Sequence, residues 1–325
     1  MAELTMGAVQ FAERATTLKR FIATDSFFRH LTRAAAISVL AILFGVFVSL
    51  ALGAWPAFLT FGFDFLTAQS WNPVTEKFGA LAPVYGTLVT SLIAMLIAVP
   101  VGIGIAIFLT ELCPRLLRQS IGIAIELLAG IPSIIYGIWG LFVFAPFLQQ
   151  HVQPALIDLF GGVPLLNQLF AGPPYGIGIF TAGLILAIMV IPFVSSISRD
   201  VFETTPAVLK ESAYALGATK WEVIWSVVLP HGRAGVLGGV MLGLGRALGE
   251  TMAVTFVIGN AHRISVSILA PGTTISATIA NEFTEAVGDL YTASLIALGF
   301  ILFVITFIVL ALARYMLSRF ELRTR

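Results

Sequence analysis

Arg246 and Glu250 stand four residues apart inside residues 234–259, a run that otherwise reads as a membrane-crossing helix. A charge at the bilayer centre costs about 2.5–3.5 kcal/mol on insertion scales, so such residues mark either a substrate pathway or an ion pair. An offset of four turns a helix by about 40°, which places both side chains on one face, where they partly neutralise each other. The planar guanidinium matches a tetrahedral oxyanion through two N–H bonds and stays charged at any physiological pH. A carboxylate that competes for that fork weakens the trap, and conduction needs a site that also lets go. Two readings stand: an anion contact moderated by Glu250, or an ion pair that only locks helices together. Gly235, Gly239 and Gly243 share this face, and small residues spaced by four allow close helix approach in membranes.

The elements that must hold these residues follow from composition. Of 325 residues, 58% are hydrophobic and 11% charged, and the mean hydropathy is +0.98, which identifies an all-α polytopic membrane protein. Apolar runs of about 20 residues at 34–54, 85–109, 121–148, 177–198, 234–259 and 292–313 predict six transmembrane helices. Pro132, Pro192 and the glycine-rich stretch 235–249 interrupt the third, fourth and fifth. The first run follows a long segment with five basic residues and reads as a retained anchor rather than a signal peptide. The organisation expected is an amino-terminal cytoplasmic segment (1–33), a six-helix domain (34–313) and a short basic cytoplasmic tail (314–325).

Charge placement sets the orientation. Arg14, Lys19, Arg20, Arg29 and Arg33 precede the first span; Arg115 and Arg118 follow the second; Arg199, Lys210, Lys220 and Arg233 follow the fourth; Arg314, Arg319, Arg323 and Arg325 follow the sixth. Only Lys77 and Arg263 fall on the other side, so both termini are expected in the cytoplasm. Trp55, Phe58, Trp71 and Tyr175 are expected as interfacial belt residues.

Several classes are excluded. Cys113 is the only cysteine, and His30, His151, His231 and His262 are scattered without ligand spacing, so no metal site or other cofactor is expected. None of the lysines follows a glycine, so the chain carries no P-loop and cannot hydrolyse ATP through one. No clustered nucleophile and base points to an enzyme, and no nucleic-acid partner is expected. Glu126, near the cytoplasmic face, is read as a snorkelling or helix-start carboxylate.

Residues 199–233 form the longest cytoplasmic connection. Thr205 as N-cap and Pro206 at the first position predict a short helix that ends at Gly217, a left-handed C-terminal position. A second amphipathic piece, with Trp221, Ile224, Trp225 and Val228 at helical spacing, is expected to end at Pro230. Such a pair suits docking into a partner's groove or lying on the membrane surface.

This loop resembles the EAA loop of ABC-importer permeases: Glu211-Ser212-Ala213, then Gly217, then Leu229-Pro230, with Ser212 in place of an alanine. Trp71-Asn72-Pro73-Val74, residues 126–140 (ELLAGIPSIIYGIWG) and residues 243–260 (GLGRALGETMAVTFVIGN) narrow the resemblance to the PstC-type permease of phosphate-specific importers. The resemblance implies a type I importer permease fold in a bacterial inner membrane, with Glu211, Ser212, Ala213, Gly217, Leu229 and Pro230 coupling it to an ATPase. It also implies a homologous PstA-type permease partner, a cytoplasmic PstB-type ATPase dimer and a phosphate-binding protein outside. A permease for sulfate, molybdate or phosphonate is the alternative; a secondary anion transporter would have no use for the coupling loop.

Overall fold

The computed structural model describes the backbone of residues 2–164 and 166–322 and the side chains of residues 25, 27–114, 116–164 and 166–315. Six helices are long and apolar enough to cross a membrane, as expected. In chain order the main helices are α1 (Ala2–Phe61), α2 (Leu81–Leu112), α3 (Arg115–Ala129), α4 (Ser133–Phe160), α5 (Ile179–Glu203), α6 (Ala207–Ala215), α7 (Lys220–Gly249), α8 (Met252–Val257), α9 (Ile275–Glu282) and α10 (Asp289–Leu322). The chain divides into two compact units, Met1–Leu52 and Gly53–Arg325. The first is a single helical stretch whose apolar side chains Ile37, Leu40 and Phe44 are exposed. Among the basic residues used for orientation, the side chains of Arg14, Lys19, Arg20, Arg115, Arg319, Arg323 and Arg325 lie outside the described residues.

Inside the second unit α5 is the central post. It is the most deeply covered of the spans, and its buried residues Ile185, Leu186, Val190 and Val194 face three neighbours. Two contacts set the spacing to α2: a Cβ at Gly102 would stand 2.9 Å from Val194, and one at Gly183 would stand 2.6 Å from Ile93. The expected stripe on α7 packs on α5 in the same manner. Gly235 faces Val201, Gly239 faces Ile197 and Gly243 faces Val190 and Val194, an antiparallel ladder with little room for side chains.

Four expectations about element ends are corrected. The third span is not 121–148. α3 stops at Ala129, Gly130 caps it, and the extended Pro132 (ψ 137°) starts α4 afresh at Ser133, because the residue before a proline leaves the helical region. Glu126 therefore lies on α3, outside the spans, where it pairs with Arg199 at 2.7 Å. The fifth span likewise does not run through 234–259. α7 ends at Gly249, Glu250 is extended (φ −69°, ψ 129°), and α8 begins at Met252.

The other two corrections concern the connection between the fourth and fifth spans. α6 begins at Ala207 with Pro206 in the cap position, and no side-chain cap bond forms, so Thr205 does not close the helix start. The second piece does not end at Pro230. It is the first part of α7, and a π turn at Ile224–Val228 carries the helix past the proline, which lies in the first turn of the α segment that follows. Gly217 meets its expectation with φ +88°. π turns also close the second span, at Phe108–Leu112, and interrupt the third, at Gly140–Phe144 and Leu148–Val152.

On the other side of the bundle, residues 258–274 fold back over the starts of α2 and α5. Gly178 donates to Val257 O, Phe180 donates to Ile268 O, and Ile275 donates to Thr87 Oγ1.

Candidate functional site

Arg246 occupies the last turn of α7, where the exposed carbonyls of the helix end favour a cation. Its guanidinium carbon sits 4.5 Å from the centroid of the Phe193 ring on α5. Its Nε is buried with no hydrogen-bond partner. Ion pairs among the described residues include Arg199 with Glu126 and Asp200, Lys210 with Glu111, and His262 with Glu282, and Arg246 forms none with Glu250. The helical pairing of Arg246 with Glu250 thus does not form.

The reason is the break after Gly249. Glu250 has left the helix, and its carboxylate turns to the start of α8, where Oε1 accepts from Ala253 N at 3.4 Å. Charge and dipole agree at both ends, with a cation on the closing turn of α7 and an anion on the opening turn of α8. Tyr136 on α4 lies within electrostatic reach of Arg246. Its hydroxyl donates to Leu128 O at 2.9 Å, which ties the start of α4 back to α3.

Two breaks in the helical backbone therefore lie near the same place, one just before the third span and one at the end of the fifth. α4 begins after the break at Gly130–Pro132 and packs on α8, with Gly137 against Ala253 and Phe256. Irregular backbone within a membrane occurs where it is buried in protein or lines a cavity, and broken helices that present charges are a hallmark of substrate sites in transporters.

The residues of the EAA-like loop lie together at one end of the bundle. Glu211 and Ser212 are exposed on α6, Ala213 and Leu229 are half-buried, Gly217 makes the turn, and Pro230 is exposed. Ala213 and Leu229 pack with Ala218 and Val227 against Phe202, Val223 and Val228, which seats the connection on α2 and α5. Around this seat the apolar side chains Val208, Leu216, Trp221 and Trp225 stand more than half exposed.

Three features here went unread in the sequence. Thr219 and Glu222 form a complete capping box at the start of α7, legible as T-x-x-E. Lys210 on α6 pairs with Glu111 in the last turns of α2 at 2.5 Å. Phe193 had one available signal, its place beside Pro192 on the span that faces the glycine stripe.

On the opposite side, Tyr175, Arg263, Ser265 and Ser267 line an open cavity of about 280 Å3. Beside it a polar cluster joins four segments. His262 stacks on Trp71 at 5.4 Å and lies 3.7 Å from Glu282, which also accepts from Tyr291. Burial lowers the His262 pKa below the ordinary histidine value, and the Glu282 carboxylate opposes that shift.

Residues 98–322 match the family described as binding-protein-dependent transport system inner membrane component. The chain belongs to this family. Membership accounts for a multi-pass inner-membrane protein with six spans and an exposed connection between the fourth and fifth. The chain is 70% identical over 325 residues to the phosphate transport system permease protein PstC of Mesorhizobium japonicum, covering 98% of this chain and 99% of that protein. It is 58% identical over 294 residues to the protein of the same name in Pasteurella multocida, covering 90% and 92%. Identity is 39% over 293 residues to a probable phosphate transport system permease protein PstC of Methanocaldococcus jannaschii, covering 88% and 91%. Among solved structures, a bacterial alginate ABC transporter in complex with an alginate-bound periplasmic protein aligns with a TM-score of 0.59 at 20% identity, over 90% of this chain and 96% of the matched chain. That likeness identifies the importer-permease fold.

Proposed function

We propose that this chain is the permease subunit of an ATP-driven inorganic phosphate importer, in which Arg246 contacts the translocated anion. The observation that carries the reading is a half-buried arginine in the last turn before a helix break, its Nε buried without a partner and no carboxylate paired to it, in a chain 70% identical to a phosphate transport permease. An arginine left without a counter-ion inside a bundle is costly, and a phosphate oxygen supplies both the charge and the hydrogen bonds it lacks.

Glu250, on the far side of the break, acts as the moderator. It is four residues from Arg246 and is held by a single long hydrogen bond, so it is poised to draw on the guanidinium as the anion leaves. The power input enters through Glu211, Ser212, Ala213, Gly217, Leu229 and Pro230, where the exposed apolar side chains of α6 and α7 offer a docking face for a cytoplasmic ATPase dimer. Closure of that dimer pushes α6 and, through the α5–α7 ladder, switches access to Arg246 by rigid-body motion. A homologous second permease completes the pathway, a phosphate-binding protein docks on the outer loops near Arg263, and both termini lie in the cytoplasm. Hydrolysis of ATP belongs to the partner chain.

The test is phosphate uptake by the complete complex in proteoliposomes, with sulfate as competitor. Arg246→Gln is expected to assemble normally and to lower uptake at least a hundredfold, and excess sulfate is expected to leave wild-type uptake unchanged. Wild-type uptake in Arg246→Gln removes the anion-contact role, and strong competition by sulfate moves the substrate to another oxyanion.

A further inference from the structure

Arg246 reaches Phe193 by an arrangement the glycine ladder dictates. Gly235, Gly239 and Gly243 bring the α7 backbone against Val201, Ile197, Val194 and Val190 of α5. Arg246 follows one turn after the last glycine, and its guanidinium lies against the ring of Phe193, which sits in sequence between the two valines that Gly243 faces. A phenyl face attracts a cation through its quadrupole but accepts no conventional hydrogen bond, unlike a carboxylate or carbonyl. It therefore lowers the cost of a charge within the bundle without occupying the N–H edges. Tyr136, also within electrostatic reach of Arg246, directs its hydroxyl to Leu128 O.

We propose that Phe193 is the positioning residue for Arg246: its ring carries the guanidinium at a fixed height in the bundle and leaves the hydrogen-bonding edge open for an oxyanion. The proposal rests on the reading of Arg246 as the anion contact. A ring in this role favours a loaded site that can also empty, because the ring competes with the anion for charge and not for geometry.

The experiment measures KM and Vmax for phosphate in the reconstituted complex carrying Phe193→Leu, Phe193→Tyr or Arg246→Gln, with assembly checked by co-purification. Phe193→Leu keeps apolar bulk and removes the ring, so KM is expected to rise about tenfold with Vmax within twofold of wild type. Phe193→Tyr keeps the π face and is expected to restore KM to within about twofold. A merely packing role predicts equal behaviour of Leu and Tyr, or a fall in assembly and Vmax without a change in KM, and either result overturns the proposal. The two readings separate cleanly. Arg246→Gln inactive beside a Phe193→Leu of normal KM leaves the anion contact and removes the Phe193 role, whereas Arg246→Gln with normal KM removes both.

Discussion

Glu250 and His262 illustrate how a side chain's job is decided by the backbone it sits on. Glu250 accepts from Ala253 N, a bond that a glutamine oxygen can also accept, so Glu250→Gln is expected to fold and assemble as wild type. If the carboxylate draws the guanidinium away from a departing anion, the same variant holds phosphate more tightly and turns over more slowly. KM and Vmax should then fall together in uptake assays. For His262 the sign follows from burial. The folded protein prefers the neutral ring, with a pKa below the ordinary value of about 6.5. An unfolded chain takes up the proton first as the pH falls, so the stability contributed by the neutral ring is present above that value and is lost on acidification. Thermal unfolding of the purified protein should show a lower Tm at pH 5.5 than at pH 7.5, and His262→Gln should flatten that difference.

At the scale of elements, the legibility of the sequence tracks what fixes each boundary. Span existence was readable because hydrophobic length is a bulk property; the glycine stripe was readable because close packing needs small residues at a fixed period. The ends of the third and fifth spans were not. Residues 121–148 and 234–259 are apolar on both sides of their breaks, so hydropathy does not register the extended backbone at Pro132 and Glu250. Nor did helical spacing foretell that Arg246 would stack on an aromatic ring of another span, a tertiary choice. Two element-scale outcomes follow. Gly217 has φ +88° with open space around it, so Gly217→Val should cost only the backbone strain, about 1–2 kcal/mol, and show itself as ATP hydrolysis uncoupled from uptake. Lys210 and Glu111, both largely covered, link α6 to the end of α2. Lys210→Glu and Glu111→Lys should each lower the phosphate moved per ATP hydrolysed, and the double reversal should recover much of it; no recovery would mean that the pair only packs.

For the whole molecule, orientation is the property that local geometry leaves to charge placement. Cys113 is buried, with 6% of its surface exposed, and is the only cysteine in the chain, so Cys113→Ser gives a background for site-directed labelling. Lys77→Cys should react with an impermeant maleimide added outside cells, and Lys220→Cys only after the membrane is opened. The reverse pattern would invert the topology and place α6 where no ATPase could reach it.

The π turns carry a consequence for insertions and deletions. A π turn is a helix with one residue too many, absorbed locally so that the turns before and after keep their phase. Removing one residue from Gly140–Phe144, such as Phe142, should leave the rest of α4 facing as before. Removing Ile188 from uninterrupted α5 should rotate everything after it by about 100° and tear the glycine ladder. The third and fifth spans can thus each shed a residue without losing register, and across related sequences length changes should be found at these turns and be absent from the central post.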